Sequence, residues 1–189
     1  MIRIMWEIET PKPVKLICGI LASDERCLAA AQEGLRGLYG RADFVSEVWP
    51  FTQTAYYNEE AGERILRNFM AFAELIDPGR LAEIKHQTNA LEKTLAGELA
   101  SEWPRPVNLD PGYLEPAKLV LASTKNFSHR IYIGRNMYAE VTLMFHRGAW
   151  RSFEFTFPDF KSGRYHDFLS TVREHLVQQL RESRHTEKS

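Results

Sequence analysis

The sequence predicts a mixed α+β (α/β) domain. Its first half is a ferredoxin-like βαββαβ-type unit, and an antiparallel β-meander and a C-terminal helix follow. Three patterns lead there. Strand-length apolar runs alternate with helical stripes up to about residue 98. Segments of period two fill most of 118–157, and one long helical stripe closes the chain. The 189 residues suffice for one core, and no linker is long or polar enough to separate two domains. The domain is expected over 13–182, with 1–12 an N-terminal tail and 183–189 a disordered C-terminal tail.

The elements follow in order. The near-continuous apolar run Val14 to Leu21 reads as a strand covered on both faces. Ser23-Asp24 offers a helix cap, Cys27, Leu28, Ala31, Leu35 and Leu38 recur at helical spacing, and Gly40 ends that helix. Phe44, Val45, Val48, Trp49 and Phe51 make a second strand. The stretch from Asn58 to Ile76 supports two readings, a helix throughout or a helical start followed by a strand from Leu66 to Leu75; the strand is favoured. Asp77-Pro78-Gly79 breaks the chain and opens a helix over about 79–98, carried by Leu81, Ile84, Leu91 and Leu95. Pro104, Pro106 and Pro111-Gly112 punctuate the middle and hold Val107 to Asp110 extended.

The meander comprises Lys118 to Ser123, His129 to Ile133, Tyr138 to His146 and Trp150 to Phe157. In the third of these strands Ala139, Val141, Leu143 and Phe145 are expected on one face, with Tyr138, Glu140, Thr142, Met144 and His146 on the other. In the fourth, Phe153, Phe155 and Phe157 are expected to point inward. Tyr165, Phe168, Leu169, Val172, Leu176 and Leu180 form the last amphipathic helix.

Composition narrows the function. Lys+Arg is 24 and Asp+Glu 25, so no global basic excess draws the chain to nucleic acid. No apolar run approaches the ~20 residues of a membrane helix, and no membrane partner is expected. Cys18 and Cys27 are too few for a disulfide framework, and the start lacks a basic, apolar leader; a cytoplasmic location follows as the expectation. G-x-x-x-x-G-K-[ST], G-x-G-x-x-G, C-x-x-C, H-E-x-x-H and G-x-S-x-G are all missing. No metal site is expected, and no cofactor is indicated. Ser123-Thr124-Lys125-Asn126-Phe127 is similar to a guanine-reading T-K-x-D segment, but Phe127 stands where the aspartate belongs.

Three polar groupings remain. The densest gathers Asp110 and Tyr113, then Lys125 and Asn126, then His129, Arg130 and Tyr132, then Tyr138 and Glu140. Lys125, His129 and Arg130 suit an anion, two fixed cations beside a titratable imidazole. Asp110, His129 and Glu140 are the acid–base candidates. A solvated strand face with cross-strand ion pairs explains the same residues. The second grouping, Lys85, Thr88, Asn89 and Glu92, shares one helical face; a ligand-facing stripe competes with hydroxyl back-bonding to the helix. The third, Tyr56-Tyr57-Asn58-Glu59-Glu60, reads as a capped helix start or a cation site.

Several of these segments also carry a family resemblance. Pro13-Val14-Lys15-Leu16, Tyr56 to Glu60, Lys85-His86-Gln87-Thr88-Asn89, Asn108 to Tyr113, Leu119 to Asn126, His129 to Tyr132, Tyr138 to Thr142 and Phe157-Pro158-Asp159-Phe160 resemble the prokaryotic domain of unknown function 4416. The resemblance covers nearly all of 12–180. It implies a stand-alone prokaryotic cytosolic protein and supplies no catalytic residue.

The expected function is binding of, or action on, a small phosphorylated or nucleotide-like anionic ligand. Lys85, Thr88, Asn89, Tyr113, Lys125, Asn126, Arg130, Tyr132 and Tyr138 are the ligand-binding candidates. The alternatives are a nucleic-acid-binding module on the exposed meander face, which the net charge disfavours, and an oligomerising structural protein. The sequence decides neither enzymatic activity nor oligomeric state.

Overall fold

The computed structural model describes residues 8–52 and 64–186. Tyr56 to Glu60 lie outside them. One antiparallel sheet of nine strands forms the middle layer, and helices cover both faces. The strands are β1 (Val14–Ala22), β2 (Ala42–Val45), β3 (Trp49–Pro50), β4 (Leu66–Ile76), β5 (Val107–Glu115), β6 (Lys118–Ser123), β7 (Ile131–Tyr132), β8 (Tyr138–His146) and β9 (Ala149–Ser152). The helices are α1 (Glu25–Tyr39), α2 (Leu81–Glu98), α3 (Pro158–Lys161) and α4 (His166–Thr186). The strand order is β2-β4-β1-β5-β6-β8-β7, with β3 on β4 and β9 on β8.

The segment β2-β4-β1-β5, with α1 and α2 as crossovers, has the ferredoxin-like order the first half predicts. β1 is buried at every residue because it is central. Leu16, Cys18 and Ile20 pack under α1 and α2 together with Met70, Phe72 and Leu109. Ile17 faces the other way, with Phe69, Leu114, Leu119 and the α4 residues Leu169, Val172 and Leu176. Asp24 caps α1 by accepting from the Cys27 N–H (2.7 Å), and Gly40 closes it at φ 77°. Asp77 accepts from the Gly79 N–H (2.7 Å), and a 3-10 turn over Pro78–Arg80 precedes α2.

Lys15 is the most deeply buried charge among the described residues. It is fully buried and donates to Asp43 on β2 and to Gln179 Oε1 on α4 (2.9 Å). His175 of α4 lies 3.3 Å from the same Asp43 carboxylate. This cluster clips α4 to the sheet, so both charges stay partnered inside. α4 continues to Thr186, beyond residue 182 where the domain was expected to end.

Five expectations need correction, each for a local reason. The second strand is two short ones, β2 and β3. Buried Asn68 donates to Ser46 O (2.8 Å) and to Glu47 O (3.3 Å), so the link between them is tied to β4 by a side chain. The second meander strand is only Ile131–Tyr132, because the side chains of His129 and Arg130 turn to Glu140 and the Arg130 N–H closes a turn on Phe127 O (3.0 Å). β8 does not alternate through its whole length. Leu119 pairs with Leu143 but Val120 with Val141, so Thr142 is an extra residue in a bulge. Ala139 and Val141 therefore face the α2 side, and Leu143 and Phe145 the α4 side. β9 stops at Ser152. Thr156 donates to the bulge carbonyl of Thr142 (2.7 Å) and accepts from the Phe153 N–H (2.8 Å), which coils the chain before the phenylalanines can enter the core. Phe155 and Phe157 are exposed.

The fifth correction concerns Pro111-Gly112, which lie inside β5 rather than punctuating it. β6 pairs with β5 only over Gly112–Glu115, so Val107 to Pro111 have no strand neighbour on that side. Backbone N–H groups alternate along a strand. That of Leu109 points away from β1, and Pro111, two residues on, simply lacks the donor that would point the same way. At Gly112 the two strands touch: a Cβ there would stand 2.2 Å from the Val120 carbonyl oxygen.

Candidate functional site

The parting of β5 from β6 opens a cleft of about 880 Å³. One wall is the α2 face carrying Lys85, Asn89 and Lys93, at spacings of four. The opposite wall is Phe157, Pro158 and Phe160, with Phe51. Arg67, Asn108 and Asp110 come from β4 and β5. Lys125, Arg130 and Glu140 come from the meander end. Six cations line the cleft (Arg67, Lys85, Lys93, Arg105, Lys125 and Arg130) against four carboxylates (Glu92, Asp110, Glu140 and Asp159).

The open edge of β5 is completed by side chains. Glu92 accepts from the Leu109 N–H (2.8 Å), and Lys85 donates to the Leu109 carbonyl (2.7 Å). Both are buried, so α2 supplies the pairing that β6 has abandoned. Burial pushes the Glu92 carboxyl up, against the opposing pull of Lys85 and Arg105. Arg105 holds the other Glu92 oxygen (2.7 Å) and donates to Asn108 Oδ1; Asn108 donates to Asp110 Oδ2 (2.9 Å).

Arg67 joins this chain to the far wall. It is 4% exposed, lies among the rings of Phe51, Phe69 and Phe160 at 5.1–5.7 Å, and pairs with Asp159 at 2.8 Å and Asp110 at 3.5 Å. Arg67 on β4 and Asp110 on β5 lie on opposite sides of β1, and Gly19 makes the reach across it feasible: a Cβ there would come within 3.0 Å of both Arg67 Nη1 and the Phe69 ring. Burial disfavours the guanidinium charge, but Asp159 and Asp110 outweigh it and hold Arg67 protonated. The Tyr165 hydroxyl also donates to Asp159 (3.3 Å), and burial pushes its phenol up to about 12.

At the meander end Glu140, nearly inaccessible, receives Arg130 Nε (2.7 Å) and lies 3.0 Å from His129 Nε2. Arg130 also donates to the Lys125 carbonyl (3.0 Å), which fixes the loop bearing the Lys125 side chain.

Of the candidates from the sequence, Lys85, Asn89, Asp110, Lys125, Arg130 and Glu140 meet at the cleft. His129 does not line it; its ring stacks on Phe155 at 4.2 Å and 10°. Thr88 is buried and its hydroxyl bonds back to the Lys85 carbonyl (3.1 Å). Tyr113 packs against the core, Tyr132 and Tyr138 meet edge to face at 5.6 Å, and Asn126 is exposed; none of the four lines the cleft. The sequence reading missed Arg67, Lys93 and Arg105 altogether. Arg67 left one signal, a charge inside the strand pattern Leu66-Arg67-Asn68-Phe69. Lys93 and Arg105 left none beyond their charge. Among the described residues no group of three or more His, Cys, Asp or Glu is placed to hold a metal ion, and no helix is long and apolar enough to cross a membrane.

A family model described as Domain of unknown function (DUF4416) matches residues 12–176. The chain belongs to that family. No curated protein and no solved structure matches it. For this DUF4416 chain the cleft is therefore the feature that bears on function.

Proposed function

We propose that this protein, in the cytosol of a prokaryote, binds a small phosphorylated or nucleotide-like ligand in the cleft between β5 and β6. The observation that carries this reading is the convergence of six cations on one concave site of ligand size in a chain of net charge −1. The internal ion pairs neutralise the cleft floor and fix its shape, while Lys93 and Lys125 stand exposed at its edge, where an anion can arrive. Asp110 is the carboxylate best placed for acid–base work, being partly exposed and oriented by Asn108 and Arg67. Glu140 and His129 act instead as positioning groups for Arg130. Less supports a nucleic-acid surface, since Arg130 turns inward to Glu140 rather than onto the outer sheet face.

Thermal shift with inorganic phosphate and nucleoside monophosphates tests this. A ligand at 100 times its Kd stabilises by about 2.7 kcal/mol, or roughly 5–11 °C in a chain of this size. Lys93→Ala with Lys125→Ala should remove most of that response and leave the free protein's melting unchanged. An undiminished response in the double variant places the anion elsewhere.

A further inference from the structure

Phe157 lines the cleft and yet is 43% exposed. A singly exposed ring is ordinary on a protein surface; what sets Phe157 apart from the exposed Phe127 and Phe155 is that it borders a concave site of ligand size. One side of the ring is taken, with the Arg130 guanidinium carbon 5.8 Å from its centroid. Arg130 cannot swing away easily, because Glu140 and the Lys125 carbonyl hold it. Phe157 is fixed from the other direction too. Pro158 follows it, and its carbonyl accepts from the Lys161 N–H (3.1 Å) at the start of α3. The ring is thus a platform held in place, and part of its surface lines the cleft. The α2 wall across from it carries Lys85, Asn89 and Lys93 and no aromatic residue. Glu92 on that wall is spent on the Leu109 N–H and Arg105, and Asp159 beside the phenylalanines on Arg67, so the cleft offers an aromatic surface on one side and lysines on the other and suits a ligand with the same division.

We infer that the ligand of this cleft carries a planar nucleobase as well as a phosphate, the base stacking on Phe157 and the phosphate lying toward Lys93 and Lys125. This rests on the phosphate-binding reading above and selects among its ligands: a nucleotide is taken and a bare sugar phosphate is not. Stacking of a base on an aromatic side chain tolerates any base, because every base has a π-face. The platform therefore sets the class of ligand, and the choice among bases falls to polar groups such as Asn89, Asn108 and Asp110.

The experiment titrates the full chain with AMP, GMP, CMP, UMP and ribose 5-phosphate by calorimetry, then repeats the titrations with Phe157→Leu and Phe127→Ser. Phe127 is 64% exposed and does not line the cleft, so its variant controls for adventitious stacking on surface rings. At least one nucleotide is expected to bind about tenfold or more tighter than ribose 5-phosphate, in line with the energy of one base–aromatic stack. Phe157→Leu should abolish that preference while sparing ribose 5-phosphate, and Phe127→Ser should change neither. Equal affinities for all five ligands would overturn the nucleobase inference and leave the phosphate reading standing. Loss of the preference in Phe127→Ser but not in Phe157→Leu would overturn the placement on Phe157. No binding by any of the five would sink both.

Discussion

Arg67→Met is the sharpest perturbation of the cleft floor. Methionine keeps the aliphatic packing among Phe51, Phe69 and Phe160 and removes only the charge and its donors. Two carboxylates lose a partner, but unequally. The Asp110 side chain is 30% exposed and 3.5 Å away, so water and Asn108 replace most of what it loses. The Asp159 side chain is 4% exposed at 2.8 Å and keeps only the longer Tyr165 contact. Removing one partner of a buried pair costs about 3–5 kcal/mol, because the other charge is left uncompensated. For a chain of this length that is a fall in Tm of roughly 6–20 °C. The cycle is completed with Asp159→Asn and the double variant, measured by urea denaturation. The double variant should lose less than the two singles together, by ~2 kcal/mol or more. A coupling below about 0.5 kcal/mol would refute the reasoning, since Arg67 would then be held by its aromatic neighbours and not by Asp159.

Two further outcomes follow from the parting of β5 and β6. Gly112→Ala must move the Val120 carbonyl, 2.2 Å from the new Cβ, and with it the last rungs of β5–β6 pairing; the expected loss is several kcal/mol, about the scale of a severe core overpacking, and melting indistinguishable from the parent would contradict the register. Glu92 is held above its usual value of 4.5, chiefly by burial. The folded chain therefore binds more protons than the unfolded one from 4.5 up to the raised value, and this group's contribution to stability falls as pH rises through that window. Glu92→Gln should remove this downward component from denaturation midpoints measured across a pH series, and a difference of the opposite sign would show that Lys85 and Arg105 outweigh the burial.

The sequence by itself determined what local periodicity encodes. The apolar run of β1, the caps at Asp24 and Asp77, the stripe of α2 and the helix from Tyr165 onward were all legible, and the order of these elements fixed the ferredoxin-like half. Part of the cleft was legible too, because Lys85, Asn89 and Asp110 sit in patterns that cry out for a partner. What tertiary structure alone decided is where neighbours run out. Nothing in Gly112 to Leu121 announces that β5 and β6 separate after four paired positions, or that a one-residue bulge at Thr142 reverses the faces of β8 and leaves Phe155 and Phe157 outside. Arg67 and Asp159 are 92 residues apart in sequence, and Arg67 reaches Asp110 on the far side of β1 past Gly19, where a Cβ would stand 3.0 Å from the guanidinium. Side-chain period records which face of an element is apolar; pairing register and the reach of a buried charge depend on residues distant in sequence, and a one-residue shift in either leaves the local pattern unchanged.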